Sequence, residues 1–137
     1  MVGRYQMDGG QLPTIPTPHD CVVTQIDIDN DCIVFRFENE IAEHDAVRTI
    51  CPDAKSLTIR YHLTQYKEFF FYKRYNRIRP FFPTGFYREV GAGKLNRWLG
   101  HGQPYLYHYV SYCSIIVQLL DLVFVAEVDW VELEWIQ

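Results

Sequence analysis

Eight cations crowd one short stretch of this chain. Lys67, Lys73, Arg74, Arg77, Arg79, Arg88, Lys94 and Arg97 all fall within residues 66–97, where only Glu68 and Glu89 oppose them, a local charge of +6. The other residues carry five positives and fifteen negatives, a charge of −10. Ten rings are interleaved with the cations, from Tyr66 and Phe69-Phe70-Phe71-Tyr72 through Tyr75, Phe81 and Phe82 to Phe86 and Tyr87. Guanidinium forks and ammonium groups match carboxylates and phosphates, and rings add apolar area and stacking faces. This is the chemistry of recognition. Three uses fit it: pairing with the acidic remainder of the same molecule, docking on another protein, or stacking on single-stranded nucleic acid. The overall acidity, with a pI near 5.7, and the lack of an RNA-recognition signature count against the third.

Bond-making chemistry finds less support. Gly91-Ala92-Gly93-Lys94 suggests a phosphate loop, but Arg88 stands where the first glycine belongs and Leu95 where Ser or Thr would follow the lysine. The glycines read instead as a turn before a helix. None of the five histidines (His19, His44, His62, His101, His108) stands two or four residues from another, the spacing that points two ligands the same way on a strand or helix. Cys51 would need a base and an orienting group, and His44, seven residues upstream, is not placed against it by any pattern. No Gly-x-Ser-x-Gly elbow occurs. Glu132 and Glu134 alternate with Val131, Leu133 and Trp135, as on the solvent side of a last strand. The expectation is a protein without enzymatic activity, metal or cofactor.

The elements that must position these residues are mostly strands. Val22–Asp29 and Cys32–Glu38 alternate, and Asn30-Asp31 suits a two-residue turn between them. That register sets Ile28 against Ile33, Ile26 against Phe35, Thr24 against Phe37 and Gln25 against Arg36, with Cys21 away from Cys32. Pro52 closes an ambiguous stretch over residues 39–56. Leu57, Ile59, Tyr61 and Leu63 define a third strand's inner side, and Glu68–Tyr75 a fourth with rings on both sides. Leu95, Trp98 and Leu99 predict a short helix within Gly93–Gly100, stopped by Gly100 and Gly102. Strands return over Tyr105–Tyr112, Ser114–Leu120 and Val123–Trp135. In the last, the apolar parity switches after Trp130, which calls for a bulge or turn near Asp129–Trp130.

At 137 residues the chain suits one domain. Residues 1–18, with early glycines and then Pro13, Pro16 and Pro18, read as an extended or partly disordered leader, and residues 19–137 as a single β-rich domain. No run resembles a secretory signal or a membrane span, so a cytoplasmic protein with no membrane partner is expected. The four widely spaced cysteines read as reduced, packed thiols. The fold class is α+β, predominantly antiparallel β, either a curved sheet or a small sandwich with one or two short helices.

The order His19-Asp20-Cys21, immediate hairpin, mixed middle, short Leu/Trp helix and closing strand Val128–Trp135 resembles small bacterial β-rich families of unknown function, including presumed toxin-immunity proteins. The resemblance spans roughly residues 19–135, rests on pattern and order, and implies a binding role with no chemistry. The functional expectation is a protein-binding module that presents Tyr72, Arg74, Arg77, Arg79, Phe81 and Phe82 to an acidic partner or to a second copy of itself. Single-stranded nucleic-acid binding is one alternative. Small-molecule or sugar binding by Tyr105, Tyr107 and Tyr109, which simple alternation puts on one face, is another.

Overall fold

Period-two alternation becomes strand wherever the sequence carries it. The computed structural model describes residues 1–75 and 85–137. Along them run β1 (Val2–Gln6), β2 (Val22–Asp29), β3 (Cys32–Phe37), the single-turn α1 (Asp45–Arg48), β4 (Ser56–Leu63), β5 (Phe69–Tyr75), β6 (Phe86–Glu89), α2 (Leu95–Leu99), β7 (Gln103–Ser111), β8 (Ser114–Leu119) and β9 (Leu122–Ile136). The fold is a small α+β fold dominated by one curved antiparallel sheet, ordered β4-β3-β2-β7-β8-β9-β5-β6. β4 also pairs with β9 from Ser56↔Ile136 to Leu63↔Val128. The sheet therefore curls until six strands form a closed ring of pairings, and β5-β6 continues past the closure as a projecting hairpin.

β9 is the spine. Its first half pairs with β8 and β5, its second half with β1 and β4. Leu122, Phe124, Ala126 and Val128 point inward, then Val131, Leu133 and Trp135. The switch happens where Trp130 opposes His62 but Val128 opposes Leu63, leaving Asp129 as the extra residue. This is the bulge that the parity change required. Inside the ring, Phe35, Tyr61, Phe71 and Phe124 form an aromatic cluster with centroid separations of 4.8–5.3 Å between neighbouring rings.

The β2-β3 hairpin keeps the expected pairs Ile28↔Ile33, Ile26↔Phe35 and Gln25↔Arg36 across an Asn30-Asp31 turn. One pair differs. A bulge at Thr24 puts Val23 opposite Phe37, so Val23 is buried and Thr24 faces solvent. The bulge is met from outside: Gly102, at φ +119°, packs so closely that a Cβ there would collide with Val22. α2 buries Leu95 and Leu99 and ends at Gly100 with φ +62°. Its Asn96 clamps β2, accepting from the Ile26 amide at 2.9 Å and donating to the Ile26 carbonyl at 2.7 Å.

Residues 1–18 carry an element that their glycines and prolines do not announce. β1 pairs with β9 from Val2↔Glu134 to Gln6↔Trp130, and Met7, Ile15 and Pro18 are buried. All four cysteines are free thiols, Cys21 and Cys51 buried and Cys32 and Cys113 half-buried. Among the described residues no helix is long and apolar enough to cross a membrane.

Candidate functional site

The β5-β6 register Arg74↔Tyr87 and Lys73↔Arg88 sorts the cationic stretch onto two sides. Phe71 turns inward and is buried, so Phe70, Tyr72 and Arg74 turn outward with Tyr87. The outward row continues through Tyr72↔Val123, Val123↔Gln118 and Gln118↔Tyr107. A parallel row runs Phe70, Val125, Ile116 and Tyr109. Nothing within the described residues covers these rows: Phe70 is 42% exposed, Ile116 42% and Tyr109 64%. Tyr72, Tyr87, Gln118 and Val123 outline a shallow groove of about 340 Å³ in the sheet surface. Tyr72 and Arg74 thus share one apolar, ring-rich face. Arg77, Arg79, Phe81 and Phe82 lie outside the described residues.

Pairing of charge separates this region from the rest. Outside residues 66–97, Arg4 and Arg60 both reach Glu132, Arg60 also reaches Glu134 at 3.1 Å, Arg36 binds Asp27 at 2.8 Å and Arg48 binds Asp45 at 3.2 Å. Arg36, through its hydrogen bond, holds the Asp27 carboxyl below the usual carboxylate range. Among the described residues outside that stretch, Lys55 alone of the Lys and Arg side chains has no carboxylate within salt-bridge distance. Inside the stretch, Lys67 binds Asp31 at 2.7 Å. Among the described residues, Lys73, Arg74, Arg88, Lys94 and Arg97 have no carboxylate within salt-bridge distance. The sequence of residues 76–84 contains no acid that could serve them.

The inner side of the hairpin faces α2. Lys73 sits 4.2 Å from the Trp98 ring and 4.9 Å from the Tyr75 ring, and Tyr75 stacks on Phe86 at 5.3 Å. A cleft of about 490 Å³ opens between Tyr75, Arg88 and Glu89 on one wall and Gly91, Gly93, Lys94 and Trp98 on the other. In the sequence these cations are scattered along the basic stretch; the strand register brings Lys73 and Arg88 together, and Trp98 of α2 packs against Lys73.

The tyrosine face expected from alternation does not form. A bulge at Leu106 sets Tyr105 against Leu119 and Tyr107 against Gln118. Tyr105 therefore enters the core while Tyr107 and Tyr109 stay outside. Within the core the Tyr105 hydroxyl meets His108 Nδ1 at 2.5 Å, and His108 Nε2 meets the Ile15 carbonyl at 3.1 Å. A carbonyl only accepts, so Nε2 carries the proton and Nδ1 accepts from Tyr105. Burial raises the Tyr105 hydroxyl well above its ordinary pKa and lowers that of His108. The Tyr61 hydroxyl lies close enough to feel Tyr105 but completes no hydrogen bond, and burial raises its pKa too.

The other chemistry-bearing residues serve local structure. His44 Nε2 meets Glu38 at 3.1 Å, and the Cys51 sulfur accepts from Gln137 Nε2 at 3.5 Å. Burial, chiefly, pushes the Cys21 thiol up to about 12. His62 stacks on Trp130 at 3.6 Å, with Arg4 5.3 Å from the same indole, and burial lowers its pKa. Among the described residues no group of three His, Cys, Asp or Glu side chains could hold a metal. Comparison with protein-family models, with curated proteins and with solved structures finds no match to this chain.

Proposed function

We propose that this protein is a non-enzymatic binding module that docks an acidic protein partner on the outer face of β5-β6 and the adjoining strands. The observation that carries this reading is the set of cations without carboxylate partners, Arg74 foremost, beside an uncovered row of rings. Cations that complete their own pairs contribute little to an interface, whereas Arg74 can form charge-assisted bonds to an incoming carboxylate. The neighbouring rings and the 340 Å³ groove at Tyr72 and Tyr87 supply apolar area of the kind enriched in interface centres. A partner that brings acids around one apolar side chain is complementary to both. The groups of the partner that face Arg74 set the salt dependence of binding.

The test is partner capture by the wild-type chain and by a variant with Arg74, Arg77 and Arg79 each changed to Glu. The variant loses the partner, and wild-type binding weakens as salt rises. Undiminished capture by the variant refutes the reading. Sedimentation of the purified chain identifies the source: a dimer that the triple variant abolishes makes the acidic partner a second copy.

A further inference from the structure

We propose that the cleft between β6 and α2 binds a phosphate dianion, carried as a small phosphate monoester or as the free ion. This site lies on the opposite side of the hairpin from the docking face and does not rest on that reading. Lys73 and Arg88 are direct cross-strand partners, an arrangement in which like charges repel and destabilise the sheet. Neither has a carboxylate in reach among the described residues. Lys94 adds a third cation at the rim, and Glu89 is the one acid in the lining. Register sets Glu89 opposite Tyr72, one position out of phase with the Lys73–Arg88 pair, and among the described residues it forms no ion pair with either.

An anion between these cations would relieve the repulsion that the fold leaves in place. A phosphate dianion has the charge and the several acceptor oxygens to engage the Arg88 fork and the Lys94 ammonium at once, with Lys73 adding positive charge from beside the Trp98 wall. Lys73 is already held against the Trp98 and Tyr75 rings that line the cleft, so its charge stays beside the site with little side-chain freedom left to lose. At about 490 Å³ the cleft is in the size range of small-molecule sites, and its Tyr75 and Trp98 walls suit a flat group attached to the phosphate.

Calorimetric titration of the full chain with phenyl phosphate and with inorganic phosphate, at matched ionic strength in chloride, tests the site. Binding is expected, weakened roughly tenfold or more by Arg88→Gln or Lys94→Gln and unchanged by Arg74→Gln on the outer side. The ligand also raises the Tm of the wild type and not that of Arg88→Gln, a readout that circular dichroism on both folded proteins supplies. Tighter binding of phenyl phosphate assigns the source to an organic monoester, and equal affinity assigns it to the free ion. No heat with either probe, or equal weakening by Arg74→Gln and Arg88→Gln, overturns the proposal.

Discussion

The two halves of β9 share one strand and one core, yet their outer faces differ. Over the second half, Arg4, Glu132, Arg60 and Glu134 form a ladder across β1, β9 and β4, and Trp130 is flanked by His62 and Arg4. The charged groups of that ladder and the Trp130 ring have their counterparts within the chain. Over the first half, Val123 and Val125 lie among Phe70, Tyr72, Ile116, Tyr107 and Tyr109, and Arg74 on the same face has no carboxylate within salt-bridge distance among the described residues. The sheet can accept either surface, because what stabilises it lies on the inner side. A surface that folding leaves unbalanced is therefore informative about partners in a way that the ladder is not.

The comparison can be broken first at the core. Phe124→Ala under the first half should cost about 3–5 kcal/mol and Leu133→Ala under the second about 2–5 kcal/mol in urea unfolding, as cavity-forming changes do. A cost below about 1 kcal/mol at Phe124 would mean that the two halves do not share a core. Next, Glu132→Ala should cost about 1 kcal/mol, since it strips Arg4 and Arg60 of a partner, and the loss should shrink at high salt. An unchanged unfolding midpoint would remove the ladder from the account.

Acidification sharpens the contrast. His62 and His108 are held below the ordinary histidine value of 6.5, in each case chiefly by burial. The unfolded chain thus takes up their protons at higher pH than the folded one. Their stabilising effect is complete above about pH 6.5 and is lost as pH falls through the depressed folded values. The double variant His62→Gln with His108→Gln should flatten this acid slope in unfolding measured between pH 7.5 and pH 5, as estimated from the same linkage. A slope that persists would place the titrating groups elsewhere. The smallest effect belongs to the uncovered face: Ile116→Ser should move stability by no more than about 0.5 kcal/mol. A larger loss would show that the face is part of the fold rather than a surface awaiting a partner.

Much of the fold was legible because alternation is local. The hairpin register from Ile26 to Ile33, the inner side of β4, the short helix at Leu95–Leu99 and the bulge at Asp129 all follow from spacing alone. The bulges at Thr24 and Leu106 were not, since one extra residue reverses every side chain beyond it and leaves composition unchanged. That is why Tyr105 parts from Tyr107. β1 was hidden because its partner lies at the far end of the chain and its own residues are largely polar. At the candidate site the residue types were visible and their pairing was not. Arg60 and Arg74 look alike in sequence, and only tertiary structure gives one an acid and not the other.

The most direct measurement is the affinity of the captured partner for Arg74→Glu against Lys55→Glu, two variants that change net charge equally at exposed cations without a carboxylate partner. Arg74→Glu should weaken binding roughly tenfold or more while Lys55→Glu leaves it within about twofold, as a specific contact and a distant charge should behave. Equal losses in the two variants would show that net charge, not the outer face of β5-β6, governs recognition, and would contradict the account.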